Sequence, residues 1–205
     1  ANLYSQPLHI AVREGSGIES LMDFKGKRVN LGVKLSGDYP MARMLMETLE
    51  IGVGELHTNL TYTGLVEAFE RGELDAAVIT VGMQANVFRA LAKSGKIRFL
   101  SIPNHEALAA MELHLTPFSV PRGVYQFEGN PVPRDTIQTV ATGAHLITSS
   151  ELEGGLVERV TEEVLSSTFQ RENKLQELFE QGKSFANSKP FFPVHEGARW
   201  VYEPE

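Results

Sequence analysis

Large apolar residues at Leu8, Ile10 and Val12 alternate with His9, Ala11 and Arg13, the period-two pattern of a strand buried on one face. Glu14-Gly15-Ser16-Gly17 breaks it, and Arg28 to Val33 reads as a second, buried strand. From Asp38 the period changes. Met41, Met44, Leu45 and Leu49 recur at helical spacing, with Asp38 expected as the N-cap, Pro40 in the first turn, and Gly52 and Gly54 ending the helix. Asn59 to Tyr62 predicts a short strand, Gly64 to Arg71 a short helix closed by Gly72, and Leu74 to Val81 a buried strand whose small residues admit close helix packing. Met83 to Ser94 predicts a helix that ends at Gly95, and Ile97 to Ile102 a strand rich in branched residues.

Beyond this series, His105 to Leu115 predicts a helix, and the prolines and glycines from Pro117 to Pro133 a long irregular crossing. Asp135 to Ser149 resumes as an extended strand. Leu152 to Phe179 reads as helical with a break near Gln170 to Asn173, and a loop from Gly182 to Pro193 leads to a short terminal helix. Strands alternating with helices imply βαβ units: an α/β fold with a mostly parallel sheet flanked by helices and joined by right-handed crossovers. In such a sheet the loops that follow the strands line one edge, where ligands of open α/β folds sit. Three loops are expected to meet there, at Lys34 to Tyr39, Tyr62 to Gly64 and Thr80 to Gln84. The first also opens a helix, whose unpaired backbone N–H groups and dipole attract a polar or anionic ligand.

Composition narrows the partners. A chain of 205 residues, 42% hydrophobic and 22% charged, can bury a sizeable core, and its net charge of −7 lacks the basic surface that nucleic acid or anionic lipid requires. There is no cysteine, hence no disulfide framework, thiolate nucleophile or Cys-based zinc site. No signal segment and no long apolar span occurs in the sequence. The start at Ala1 and the abrupt stop after Trp200 to Glu205 lead us to expect a processed or excised piece.

The candidate ligand contacts are Ser36, Gly37, Asp38 and Tyr39 from the first loop, Tyr62 from the second, and Thr80, Gly82 and Gln84 from the third. Each has a plainer role as well: Ser36 and Asp38 as helix caps, Tyr39 and Tyr62 as packing residues with a wet hydroxyl, Gly82 as a turn residue. Metal-ligand spacing is missing, since Glu112 and His114 fall on different faces of a helix and no His-Glu-x-x-His or Asp-rich loop occurs. Neither a Gly-x-Ser-x-Gly elbow nor a phosphate loop is present, so an enzyme is not expected, nor a cofactor.

Lys25-Gly26-Lys27-Arg28-Val29 before a loop with Ser36-Gly37, then Gly72-Glu73-Leu74-Asp75-Ala76-Ala77 leading to Gly82, Tyr125 ahead of Thr139-Val140-Ala141, and finally His195-Glu196-Gly197-Ala198 form an ordered set. In this order it resembles the TAXI-type solute-binding proteins of TRAP transporters. The resemblance implies a type II periplasmic-binding-protein fold: a two-lobed extracytoplasmic receptor, with or without a membrane anchor, that closes over a small solute and delivers it to the transporter's membrane permease subunits. It further implies that residues 1–27 end lobe one and carry the hinge, 28–120 form lobe two, and 121–205 hold the return crossing and carboxy-terminal helices, with most of lobe one lacking. Two departures bear on the solute. The family's Gly-Ser-Gly-Thr is here Leu35-Ser36-Gly37-Asp38, and its proline-containing turn is Gly82-Met83-Gln84. An ionised Asp38 in the mouth of the site would repel a ligand carboxylate by roughly 1 to 4 kcal/mol and suit an amino group, which counts against a simple acidic ligand; the solute class expected is a small polar organic molecule, an amino acid or carboxylate-like. The rival reading is a ligand-sensing or membrane-tethered receptor domain of the same fold, not coupled to transport.

Overall fold

The structure, a computed structural model, describes residues 1–52, 57–173, 183–187 and 192–203. In chain order its elements are β1 (Asn2–Arg13), a 3₁₀ turn (Leu21–Phe24), β2 (Val29–Asn30), α1 (Asp38–Thr48), β3 (His57–Thr58), α2 (Tyr62–Glu70), β4 (Ala76–Thr80), α3 (Asn86–Ser94), β5 (Ile97–Leu100) and α4 (His105–Met111). There follow β6 (Thr116–Val120), β7 (Ile137–His145), α5 (Gly154–Leu165), α6 (Ser167–Glu172), α7 (Lys183–Ala186) and α8 (Glu196–Tyr202). The chain divides into two compact units, a larger one of Pro7–Thr142 and a smaller one of Ala1–Gln6 with Gly143–Glu205.

In the larger unit β2 lies between β3 and β4 and is parallel to both, while β1 runs antiparallel between β4 and β5. The α/β fold with a central sheet flanked by helices is as expected, but the sheet is mixed rather than mostly parallel. β1 enters ahead of the βαβ series and inserts into it, and β6 and β7 form an antiparallel pair. Residues 7–12 are buried without alternation, because helices cover both faces of the sheet. Leu8, Ile10, Val12, Ala76 and Val78 share one core with Met41, Ala42 and Leu45 of α1, whereas Ala11, Ala77 and Ile79 pack with Leu65 and Phe69 of α2 and Phe88 and Leu91 of α3.

Several expected elements shift. The strand expected at Asn59 to Tyr62 lies at His57–Thr58, and Thr61 instead caps α2, its hydroxyl accepting the Gly64 N–H. The helix expected from Met83 starts at Asn86, and the one expected to Leu115 stops at Met111. Pro117 belongs to β6, an element read from sequence as irregular crossing; β6 is the outermost strand of the sheet, where a missing N–H costs no ladder bond.

The smaller unit is built around α5 and α8. A Cβ at Gly197 would lie 2.1 Å from the Gly154 carbonyl oxygen, so the two helices touch through their backbones. Glu153 caps α5, His195 caps α8, and the helix break falls at Ser166, whose hydroxyl accepts the Phe169 N–H to start α6. Residues 174–179 of the expected long helix lie outside the described residues, and the expected 182–193 loop contains α7.

Candidate functional site

β2 sends the chain by way of α1 to β3 on one side of it, and β3 sends it by way of α2 to β4 on the other. The carboxyl ends of β2 and β4 therefore flank a reversal of strand order, with α1 and α2 on opposite faces. Ligand crevices of open α/β sheets open at such a reversal.

Gly32 shapes the first wall. Its φ is +86°, and a Cβ there would meet the Asp38 Cβ at 2.6 Å and the Ser36 Oγ at 3.3 Å, so the loop folds back onto it. That return lets α1 begin at Asp38. The N-cap is Gly37, without a side-chain cap, and not Asp38 as its residue type had implied. Ser36 donates its hydroxyl to the Val33 carbonyl at 2.7 Å, closing the turn from within.

Asp38 has another task. It is only 5% exposed, and its Oδ1 accepts the Thr80 N–H at 2.7 Å while the Tyr62 hydroxyl also donates to the carboxylate. One side chain thus ties the start of α1 to the end of β4 and the start of α2. Burial pushes the Asp38 carboxyl above the usual carboxylate range, and those two donors hold it back in part. The Tyr62 phenol is pushed up by its own burial and then by the Asp38 charge.

Thr80 supplies the group with spare capacity. It follows Ala76 and Val78 at period two and so faces the α1 side of the sheet, it is 7% exposed, and its Oγ1 is buried with no partner among the described residues. A buried hydroxyl without a partner costs free energy that a ligand's polar group would recover.

The remaining candidates stand apart from this contact set. Tyr39 is half-buried, packs against the α1-side core and engages Arg43. Gly82 is buried and its carbonyl accepts the Ala85 N–H at 3.0 Å, in a turn; Gln84 is exposed. Gly37 is exposed at the loop's rim.

Asn30, which the sequence reading passed over, positions the second loop. It is 1% exposed, its Oδ1 accepts the Leu60 N–H at 2.7 Å and the Thr58 hydroxyl at 3.1 Å, and this fixes the approach to Tyr62. An amide inside the run Val29-Asn30-Leu31 was the available signal, since a buried polar side chain needs partners of its own.

Among the described residues, cavities also lie elsewhere. One of about 820 Å³ is in the smaller unit, among Leu146, Leu152, Val160, Phe192 and their neighbours; a groove of about 520 Å³ in the larger unit runs between Arg89 and Lys93 of α3 and residues 124–127. Among the described residues no group of His, Asp or Glu could hold a metal ion, and no helix is long and apolar enough to cross a membrane.

The sequence profile of the NMT1-like family matches residues 1–205. Among solved structures, the periplasmic aliphatic sulphonate binding protein of Escherichia coli is similar at a TM-score of 0.49 and 15% identity, over 94% of this chain and 52% of that one. The chain therefore spans about half the length of that protein.

Proposed function

The chain belongs to the NMT1-like family, and from that premise we propose that it is part of an extracytoplasmic receptor that captures a small polar solute by closure of two lobes. The observation that carries this reading is the meeting of Asp38, Tyr62 and Thr80 at the strand-order reversal, with the Thr80 hydroxyl unpartnered. In the proposed site the ligand takes a hydrogen bond from or gives one to Thr80 Oγ1, and its polar or anionic end meets the amino end of α1, with Ser36 and Gly37 at its rim. Asp38 acts as the brace that holds these elements, not as a free charge in the mouth, which lowers its repulsion of a ligand carboxylate. Gln84 and Tyr39 close the rim from either side. The larger unit serves as one lobe and the smaller unit as a portion of the other. Delivery to a membrane permease, of TRAP type as the resemblance implies, is the narrower form of the proposal.

A panel of amino acids, carboxylates and sulphonates, screened by thermal shift and then by calorimetry against the protein with its second lobe complete, tests the reading, because a ligand bound only to the native state raises its melting temperature. We expect a hit that Thr80→Val weakens about tenfold without lowering the melting temperature of the free protein. Absence of any hit from a well-folded two-lobed protein would count against a solute receptor.

A further inference from the structure

Asp38 places a buried acid beside the spot where a ligand's polar end is expected. It stands at the first position of α1 and is 5% exposed, seated so tightly against the preceding loop that a Cβ at Gly32 would come within 2.6 Å of its own. Its Oδ1 accepts the Thr80 N–H at 2.7 Å, and the Tyr62 hydroxyl donates to the carboxylate. On that same Thr80, which is 7% exposed, Oγ1 is buried without a partner among the described residues. An anion drawn to the amino end of α1 and to the Thr80 hydroxyl therefore arrives next to a carboxylate.

The neighbouring charges do not offset that meeting. From α2 the titratable group is Tyr62, whose phenol is kept protonated by burial and by the Asp38 charge. β4 faces Asp38 with Thr80, while the acid that precedes the strand, Asp75, is bound to Arg13 and Arg28. In the loop Lys34 is exposed, and on α1 Arg43 pairs with Glu47 and engages Tyr39. Burial raises the Asp38 carboxyl above the ordinary carboxylate range, the Thr80 N–H and the Tyr62 hydroxyl draw it back in part, and no cation among the described residues adds to their pull.

We propose that capture of an anionic group at this edge takes up a proton from solvent on Asp38, so that an anionic solute binds more tightly as the pH falls. The inference rests on the reading of this edge as the solute site. The proton goes to Oδ2 and leaves Oδ1 as acceptor for the Thr80 N–H, so the tie between α1 and β4 is kept while its charge is lost. Linkage is reciprocal: the factor by which protonation tightens the anion is the factor by which the anion tightens the proton. Binding is weakest where Asp38 is ionised both with and without solute. It strengthens as the pH falls through the carboxyl's pKa in the complex, and levels off below its pKa in the free protein. A neutral solute at the same place meets no such repulsion and carries no such linkage.

The test is calorimetry on the protein used for the solute screen, from about pH 8 to about pH 4.5. The probes are ethanesulphonate, an anion throughout that range, and ethyl methyl sulphone, its neutral counterpart. For the sulphonate we expect affinity to rise by at least about tenfold as the pH falls, with proton uptake read as a binding heat that depends on the ionisation enthalpy of the buffer. The sulphone should show neither. Asp38→Asn keeps a carbonyl acceptor for the Thr80 N–H and should bind the sulphonate without a pH slope, whereas Tyr62→Phe removes a donor that holds the carboxyl down and should move the rise to higher pH. The proposal is overturned by no sulphonate binding at the acid end, by affinity and buffer heat that ignore pH, by equal slopes for the two probes, or by an unchanged slope in Asp38→Asn. The receptor reading is judged apart from these, on the whole solute panel: a panel hit without proton uptake leaves it standing and sinks the linkage, and an empty panel at every pH sinks both.

Discussion

At the scale of single residues, the most consequential buried group outside the site is His9. Its Nε2 lies 2.7 Å from the Tyr125 hydroxyl and its Nδ1 2.9 Å from the Pro7 carbonyl, and Phe88 and Phe99 close around the ring. The imidazole is therefore satisfied as a neutral ring that donates from Nδ1 and accepts at Nε2. Burial lowers its pKa from 6.5 to about 3, so the unfolded chain takes up a proton in that window and the native state does not. Stability attributable to His9 is thus full above pH 6.5 and declines by about 1.4 kcal/mol per pH unit as the pH falls toward 3. Urea unfolding at pH 7 and pH 5 should show a loss of about 2 kcal/mol in the native sequence and a much smaller one in His9→Gln; equal slopes would show that His9 is not held neutral. Asp38 works in the opposite sense, because its raised carboxyl favours the native state as the pH falls, so the difference between the two slopes isolates His9. A second residue-level prediction concerns Asp38 itself. Asp38→Ala strands the buried Thr80 N–H and should cost about 1 to 3 kcal/mol in the same titration, while Thr80→Val, which removes a hydroxyl with no partner among the described residues, should leave the free protein as stable as before or more so.

Between residues and the whole lies the question of which elements the chain announces. β4, α3 and β5 were legible because their apolar periods and the Gly95 stop all agree; Gly95 caps α3 at φ +64°. β6 was not, because Pro117 argues against a strand unless the strand is known to lie at an edge, and edge position is a property of the assembled sheet. The first half of β1, Asn2 to Gln6, has no apolar alternation and is held by its pairing with β7 rather than by burial. The site shows the same division. Three loops at one sheet edge could be read from strand order, but the brace from Asp38 to Thr80 and Tyr62 could not, since an Asp ahead of a helix reads first as a cap. The α5 and α8 crossing yields a prediction at this scale. A methyl at Gly197 has no room against the Gly154 carbonyl, so Gly197→Ala must push the helices apart, at a cost of about 1 to 3 kcal/mol borne by the smaller unit alone. Trp200, whose ring lies against Gly154, should report the change as a shifted emission maximum, with the exchange rates of β4 and α3 unaltered; slowed or hastened exchange there would mean that the two units share one cooperative core.

For the molecule as a whole, the distribution of buried apolar residues decides how it should melt. The larger unit holds both core clusters, with Phe24, Phe69 and Phe88 fully buried, while the smaller unit buries few apolar side chains among its described residues and exposes more. Hydrophobic burial is the main favourable term in folding, so the two units differ in stability and need not unfold together. The 205-residue chain should therefore lose its Trp200 signal at a lower temperature than its far-ultraviolet circular dichroism, most of which comes from the larger unit. The same imbalance bears on ligand capture. On the proposed receptor reading, affinity comes from closing two lobes, so calorimetry should find a solute bound at least about a hundredfold more weakly by the 205-residue chain than by the proposed two-lobed protein. A single transition with coincident probes, together with undiminished affinity, would show instead that the larger unit binds by itself and that closure contributes nothing to recognition at the Asp38, Tyr62 and Thr80 edge.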